Sequence, residues 1–248
     1  MLSLSPSPSP SYLRQAIQAQ EPQKALELLQ GPDSWPDIED GNTNLQEAIK
    51  WCPMNPELII ALIAGRDLKV LDCKDSYDNT PMITAAAFAN VLAIDLLAKA
   101  GVRVDVHDNQ KKSPLCLVVT DSLLRVSGMY ENRHEPEAQI LQAAQTLVRH
   151  GARADGYNIA DNQPLLKSYI KSWDPTQGDP NLIKFLVAEG AEPLSLAEVS
   201  KLTSKNETII HAAIEEGLQE RQIAVSQGLD AILPASIAAL IGAYILVR

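Results

Sequence analysis

Apolar residues recur along this chain in short blocks at helical spacing, and the blocks are punctuated the same way each time. In the clearest instance Asp75-Ser76-Tyr77-Asp78-Asn79-Thr80-Pro81-Met82-Ile83-Thr84-Ala85-Ala86 opens a segment and Leu96-Leu97-Ala98-Lys99-Ala100-Gly101 closes it. The opening returns, degraded, as Asp108 to Leu115 and as Asn158 to Leu165. The closing returns as Leu147-Val148-Arg149-His150-Gly151-Ala152 and as Leu186-Val187-Ala188-Glu189-Gly190-Ala191. A fixed opening and closing at a period of tens of residues predicts stacked helix pairs. Such a fold presents a surface more readily than a chemical pocket.

Each punctuating residue has a physical role. Thr80, Ser113 and Thr208 are expected to cap helices by accepting an orphan backbone N–H. Pro81 and Pro114 stand at a first-turn position, where the missing N–H costs nothing. Gly101, Gly151 and Gly190 stand where a left-handed cap follows the second helix. Two residues before the capping position, where the tight turn calls for a left-handed residue, stand Gly41, Asp78, Lys111, Asp161 and Asn206. Asp and Asn tolerate that region. Lys111 does not favour it, and predicts local strain or a different turn.

These letters resemble the ankyrin repeat, whose period is about 33 residues and whose core reads T-P-L-H-x-A. The expected fold class is all-α: an ankyrin-repeat solenoid of about six divergent helix–turn–helix units with short hairpin-like tips. The first unit is worn, with Leu13 to Ile17 and Ala25 to Gly31. The second opens at Asp40 and closes at Leu58 to Gly65, and the third, Asp75 to Gly101, is nearest the pattern. The fourth runs from Asp108 to Gly151 and the fifth from Asn158 to Gly190. The sixth is placed from Thr208-Ile209-Ile210-His211-Ala212-Ala213 to Gly228. The resemblance implies a turn-stabilising role for His211.

The capping positions lie 37 residues apart from Thr43 to Thr80, 33 from Thr80 to Ser113, 50 from Ser113 to Gln163 and 45 from Gln163 to Thr208. The excess is expected in enlarged loops near 119–136 and 172–180. Residues 1–10, rich in Ser-Pro, read as a disordered leader, and 11–228 as the repeat domain. Residues 229–248 read as an apolar C-terminal helix.

Composition narrows the function. Aromatics are 4% while apolar residues are 46%, a mix suited to closely packed Ala- and Leu-rich helices. The formal net charge is -10, which repels phosphate backbones and leaves no nucleic-acid partner. If charge selects a protein partner, that partner is basic. Cys52, Cys73 and Cys116 are widely spaced, form no metal-ligand or disulfide pattern, and read as small core residues in a reducing compartment. The N-terminus has no basic n-region or long apolar h-region, so no signal peptide is expected. The expected location is cytoplasmic or on the cytosolic face of a membrane.

No catalytic, cofactor-binding or metal-binding constellation emerges. His107, His134, His150 and His211 stand far apart in sequence, and no glycine-rich phosphate loop exists. The expected activity is therefore binding, not catalysis. The hairpin tips and first helices of an ankyrin stack line one face, which brings Tyr77, His107, Asn109, Gln110 and Tyr157 within reach of a protein partner. The larger insert adds Tyr130, Arg133 and His134. The first reading is a scaffold or adaptor.

From Ala231 to Val247 there is no charged residue. A helix of that length spans roughly 25 Å, at the short limit for a bilayer core of about 30 Å. The segment is either a membrane anchor, a helix closing the stack or a self-association element. The degenerate repeats also resemble those of ankyrin effectors that intracellular bacteria deliver into host cells, and Glu215 to Glu220 is similar to an acidic stretch of such proteins. A further alternative is an enzyme whose site is built from the inserts.

Overall fold

The computed structural model describes residues 11–30, 38–39, 42–121, 136–159, 162–173, 178–203 and 206–230. The Ser/Pro leader, most of the fourth-unit insert and the apolar run after residue 230 therefore lie outside the described residues. The chain divides into two units, residues 1–152 and 153–248.

The first unit begins with α1 (Ser11–Gln18) and α2 (Pro22–Gln30). A two-residue ladder follows, β1 (Ile38–Glu39) antiparallel to β2 (Asn42–Thr43). Then come α3 (Asn44–Trp51), α4 (Pro56–Ile63), the short α5 (Leu68–Leu71), α6 (Pro81–Ala87), α7 (Val91–Lys99), α8 (Pro114–Thr120) and α9 (Pro136–Arg149). They stack in two rows. The first helices α1, α3, α6 and α8 pack side by side, the second helices α2, α4, α7 and α9 form the other row, and each first helix packs on its own second helix. The inner helices of the first row, α6 and α8, are covered on nearly every side. All seven residues of α6 are buried, which is why it is short, Ala-rich and free of charge.

The caps are those the letters imply. Thr80 Oγ1 accepts the Ile83 N–H at 3.3 Å, and Ser113 Oγ accepts that of Cys116 at 3.2 Å. Thr43 forms a full capping box with Gln46. The second helices carry caps of their own: Asn55 accepts from Leu58, and Asn90 from Ala93. Gly101 (φ 89°) and Gly151 (φ 98°) are left-handed after the second helices. Lys111 is left-handed as well, at φ 62°. Its turn is the same as that of Asp78 (φ 68°), so the lysine occupies the strained position and does not alter it. Of the three cysteines, Cys52 and Cys116 are buried core residues, whereas Cys73 is only half-buried.

The second unit opens with the ladder β3 (Tyr157–Asn158) against β4 (Gln163–Pro164). It continues with α10 (Leu165–Lys171), α11 (Pro180–Ala188), α12 (Leu196–Leu202) and α13 (Glu207–Asp230). The left-handed tip residue is Asn162, at φ 53°, two positions before Pro164, the residue that precedes α10. The register of this repeat is thus one residue later than an alignment on Asp161 and Gln163 implies.

The sixth repeat differs more. Its first helix is α12, which packs beside α10, and its second is α13, which packs along α11 and on α12. Thr208 is inside α13 and caps nothing, and the stretch to Gly228 is one continuous helix with no turn. Among the described residues His211 secures no tip turn; its Nδ1 lies 3.4 Å from Glu215 one helical turn on. The crossing of α13 over α11 is close because position 217 is glycine. A Cβ there would stand 2.5 Å from the Lys184 carbonyl oxygen and 2.8 Å from Val187 Cβ. Lys184 Nζ reaches Glu220 at 2.9 Å and Glu216 at 3.4 Å across the same crossing. The acidic stretch from Glu215 to Glu220 therefore has a packing role within this unit.

Candidate partner-binding face

Two neighbouring tips of the first unit are built identically, 33 residues apart. Asp75 Oδ1 accepts the backbone N–H groups of Tyr77 (2.9 Å) and Asn79 (2.8 Å). Asp108 Oδ1 accepts those of Gln110 (2.8 Å) and Lys112 (2.8 Å). Each tip is closed by a backbone bond, from Asp75 N to Asn79 O at 2.9 Å and from Asp108 N to Lys112 O at 3.1 Å. An aspartate that satisfies two tip donors makes a firm turn without a β-ladder. The residues between are pushed outward as side chains.

A cleft of ≈ 350 Å³ lies between these tips and the first helices. Its floor is Ile83, Thr84, Ala87 and Phe88 of the third repeat with Leu117 of the fourth. Its rim carries Tyr77 and Asn79 on one side, Asn109 and Gln110 on the other, with Lys50 and Asp121 along it. Among the described residues, Tyr77, at 67% exposed, is the second most exposed of the large apolar side chains. Asn109 and Gln110 are exposed too.

Three of the residues singled out from sequence, Tyr77, Asn109 and Gln110, are thus brought together. His107 is exposed but does not line the cleft. Tyr157 belongs to the second unit, where its hydroxyl donates to the Asn162 carbonyl across its own hairpin. Tyr130, Arg133 and His134 lie outside the described residues. Sequence reading missed the floor, although the 33-residue equivalence of Thr84 with Leu117 and of Phe88 with Asp121 was available to find it.

Asp121 and Lys50 at this face are engaged internally. Asp121 Oδ2 lies 2.6 Å from Lys112 Nζ, and its Oδ1 accepts from Thr120. Lys50 Nζ is 3.5 Å from Glu47. Away from the cleft, Asp95 on α7 sits between Lys99 Nζ (2.6 Å) and His150 Nε2 (2.9 Å). The Lys99 ammonium, and after it the His150 ring, hold the Asp95 carboxyl below its usual range. Burial pushes the Cys52 thiol up, so it stays neutral, and its Sγ–H donates to the Ile17 carbonyl at 3.4 Å. Among the described residues no group of His, Cys, Asp and Glu could hold a metal ion, and no helix is long and apolar enough to cross a membrane.

The two-row stack, the aspartate-braced tips and the glycine-ended second helices define the ankyrin-repeat fold, and solved structures agree. The chain resembles the crystal structure of the ankyrin repeat protein EF0377 with a TM-score of 0.62 at 18% identity, covering 85% of this chain and 99% of that one. It resembles an ankyrin repeat domain from Acinetobacter baumannii AYE with a TM-score of 0.60 at 17% identity, covering 84% of this chain and 97% of that one. No protein-family model matches the chain.

Proposed function

We propose that the protein is a scaffold or adaptor that binds a protein partner through the tip face of its first unit. Repeat stacks of this kind use extended faces as binding surfaces. The observation that carries the reading is Tyr77: a large, exposed aromatic held on a braced turn at the mouth of a cleft. Aromatic residues on preorganised turns are efficient anchors, because little side-chain entropy is lost on binding. Asn109 and Gln110 face it from the next tip.

A net charge of -10 favours long-range approach of basic surfaces. The uncharged run from Ala231 to Val247 supports a second reading, in which the repeats are held at the cytosolic face of a membrane. The effector reading draws on the degenerate repeats and on the acidic stretch, and Glu216, Gly217 and Glu220 of that stretch also serve the α11–α13 crossing.

The test is proximity labelling in the native cell with the wild-type chain, with Tyr77→Ala combined with Gln110→Ala, and with a chain ending at residue 230. The account expects the double substitution to remove the principal labelled proteins while leaving the melting temperature unchanged. Unaltered labelling by the double variant would refute it. A loss confined to membrane proteins in the shortened chain supports the tether.

A further inference from the structure

We infer that this cleft holds a basic segment of its protein partner, with an arginine laid over Tyr77 and basic side chains ion-paired to Asp75 and Asp108. The inference rests on the proposed tip-face function and names the partner's chemistry at that site. Both aspartates line the cleft, at equivalent positions of neighbouring tips. Each commits its Oδ1 to two backbone N–H groups of its own turn. Those donors are neutral, so each carboxylate keeps its charge and a second oxygen for a ligand. Asp75 Oδ2 accepts one long bond, from the Asn79 amide at 3.4 Å. Among the described residues neither aspartate forms an ion pair. The lysines around them are committed elsewhere: Lys74 to Asp78, Lys112 to Asp121 and Lys50 to Glu47.

The cleft is thus acidic, and its burial strengthens the charge. Asp75 is only 7% exposed, so water and salt screen it less than they screen a surface carboxylate. A cation that reaches Oδ2 leaves the turn intact, because the tip N–H groups are held by Oδ1. Tyr77 points to a cation independently: its ring stands exposed at the mouth of the same cleft, and guanidinium groups bind aromatic faces more often than ammonium groups do. Asn79, Asn109 and Gln110 add side-chain amides, whose donor and acceptor match those of a peptide group. Because α6 and α8 pack side by side, equivalent positions on the two tips stand about 10 Å apart, the spacing of packed helices. An extended chain advances about 3.3 Å per residue. Basic residues two or three positions apart therefore match the two aspartates. A neutral or acidic segment would desolvate both carboxylates without supplying a counter-charge.

The experiment pans a phage-displayed library of random linear peptides against the full chain. Selected peptides are then measured by fluorescence anisotropy at about 50 and about 500 mM NaCl, where screening differs strongly. The expected binders carry Arg or Lys two or three positions apart and weaken at least about tenfold with salt. They lose at least about tenfold affinity for the Asp75→Asn, Asp108→Asn double variant, as they do for the Tyr77→Ala, Gln110→Ala double variant. Asparagine keeps the oxygen that accepts the tip N–H groups, so the turns persist while the charge is removed. General attraction to a chain of net charge -10 survives that change, which leaves most of the charge in place. Binders that need Tyr77 and Gln110 but bind the asparagine variant unchanged overturn this inference and leave the tip-face function standing. Binders indifferent to both variants, or no binders, overturn both. Circular dichroism shows whether the variants remain folded. If the asparagine variant does not, peptides with Gln in place of their basic residues decide on the unaltered chain: loss of at least about tenfold affinity supports the inference, and unchanged affinity overturns it.

Discussion

The side-chain amide of Gln46 donates to the backbone carbonyl of Asn79 at 2.7 Å, so the cap of one repeat grips the tip of the next. The same amide's oxygen accepts from the Thr43 N–H at 3.0 Å and from the Thr43 hydroxyl at 2.9 Å. One fully buried residue thus starts α3 and fixes the tip that carries Tyr77. Thr43→Ala removes only cap interactions and is expected to cost about 1 kcal/mol. Gln46→Ala also removes an inter-repeat bond and buried methylenes, and is expected to cost about 2–3 kcal/mol. Urea unfolding of both variants measures the difference, and equal losses would mean that the bond to Asn79 contributes nothing.

Lys111 is a place where stability can be raised. At φ 62° it bears a conformational cost that glycine avoids, and its side chain is exposed. The left-handed region costs a non-glycine about 1–2 kcal/mol, and glycine gives back about 0.5–1 kcal/mol in unfolded-state entropy. Lys111→Gly is expected to stabilise by about 0.5–1 kcal/mol, read as a rise in melting temperature. Asp78→Gly should gain less, because aspartate tolerates the region and Asp78 also meets Lys74 at 2.9 Å.

Gly217 makes the opposite case. In an open helix Gly→Ala gains about 1 kcal/mol. Here the added methyl meets Lys184 backbone at 2.5 Å, so α11 and α13 must separate. Gly217→Ala is expected to destabilise by about 1–3 kcal/mol, the range for overpacking. Calorimetry on the variant checks the sign.

Asp95 predicts a pH dependence. Its folded pKa is depressed by Lys99 and His150, so its contribution to stability is present above the unfolded carboxylate value of ~3.9 and is lost as pH falls through the lower folded value. Asp95→Asn should therefore destabilise at pH near ~7 and converge with the wild type in acid, below both carboxylate values. Denaturant midpoints across that range test it. A variant equally impaired at both ends would show that the loss is not ionic.

Much of this fold is legible in the letters because the capping residues are local. Thr80, Pro81 and Gly101 each serve a backbone need that any stack would impose, and Lys111 fell in line despite its chemistry. The sixth repeat misled for the same local reason. Thr208 and His211 carry the family's letters at the family's spacing, yet the first helix is α12 (Leu196–Leu202), announced by the Ser195–Glu198 capping box and by Leu196, Val199 and Leu202. That box lacks the proline and the tip, so spacing alone had to find it. The cleft was legible only at its rim: Tyr77, Asn109 and Gln110 stand out as turn residues. The pairing of Lys112 with Asp121 at its edge, nine positions apart and on different elements, is one that no linear pattern reveals.

The central claim is that partners meet the tip face of the first unit. Photo-cross-linking in the native cell tests it most directly, with a benzophenone side chain placed at Gln110 on the tips or at Ile60, which is exposed on α4 in the second row. The account predicts a discrete adduct from position 110 and none from position 60. Adducts from position 60 alone would contradict it.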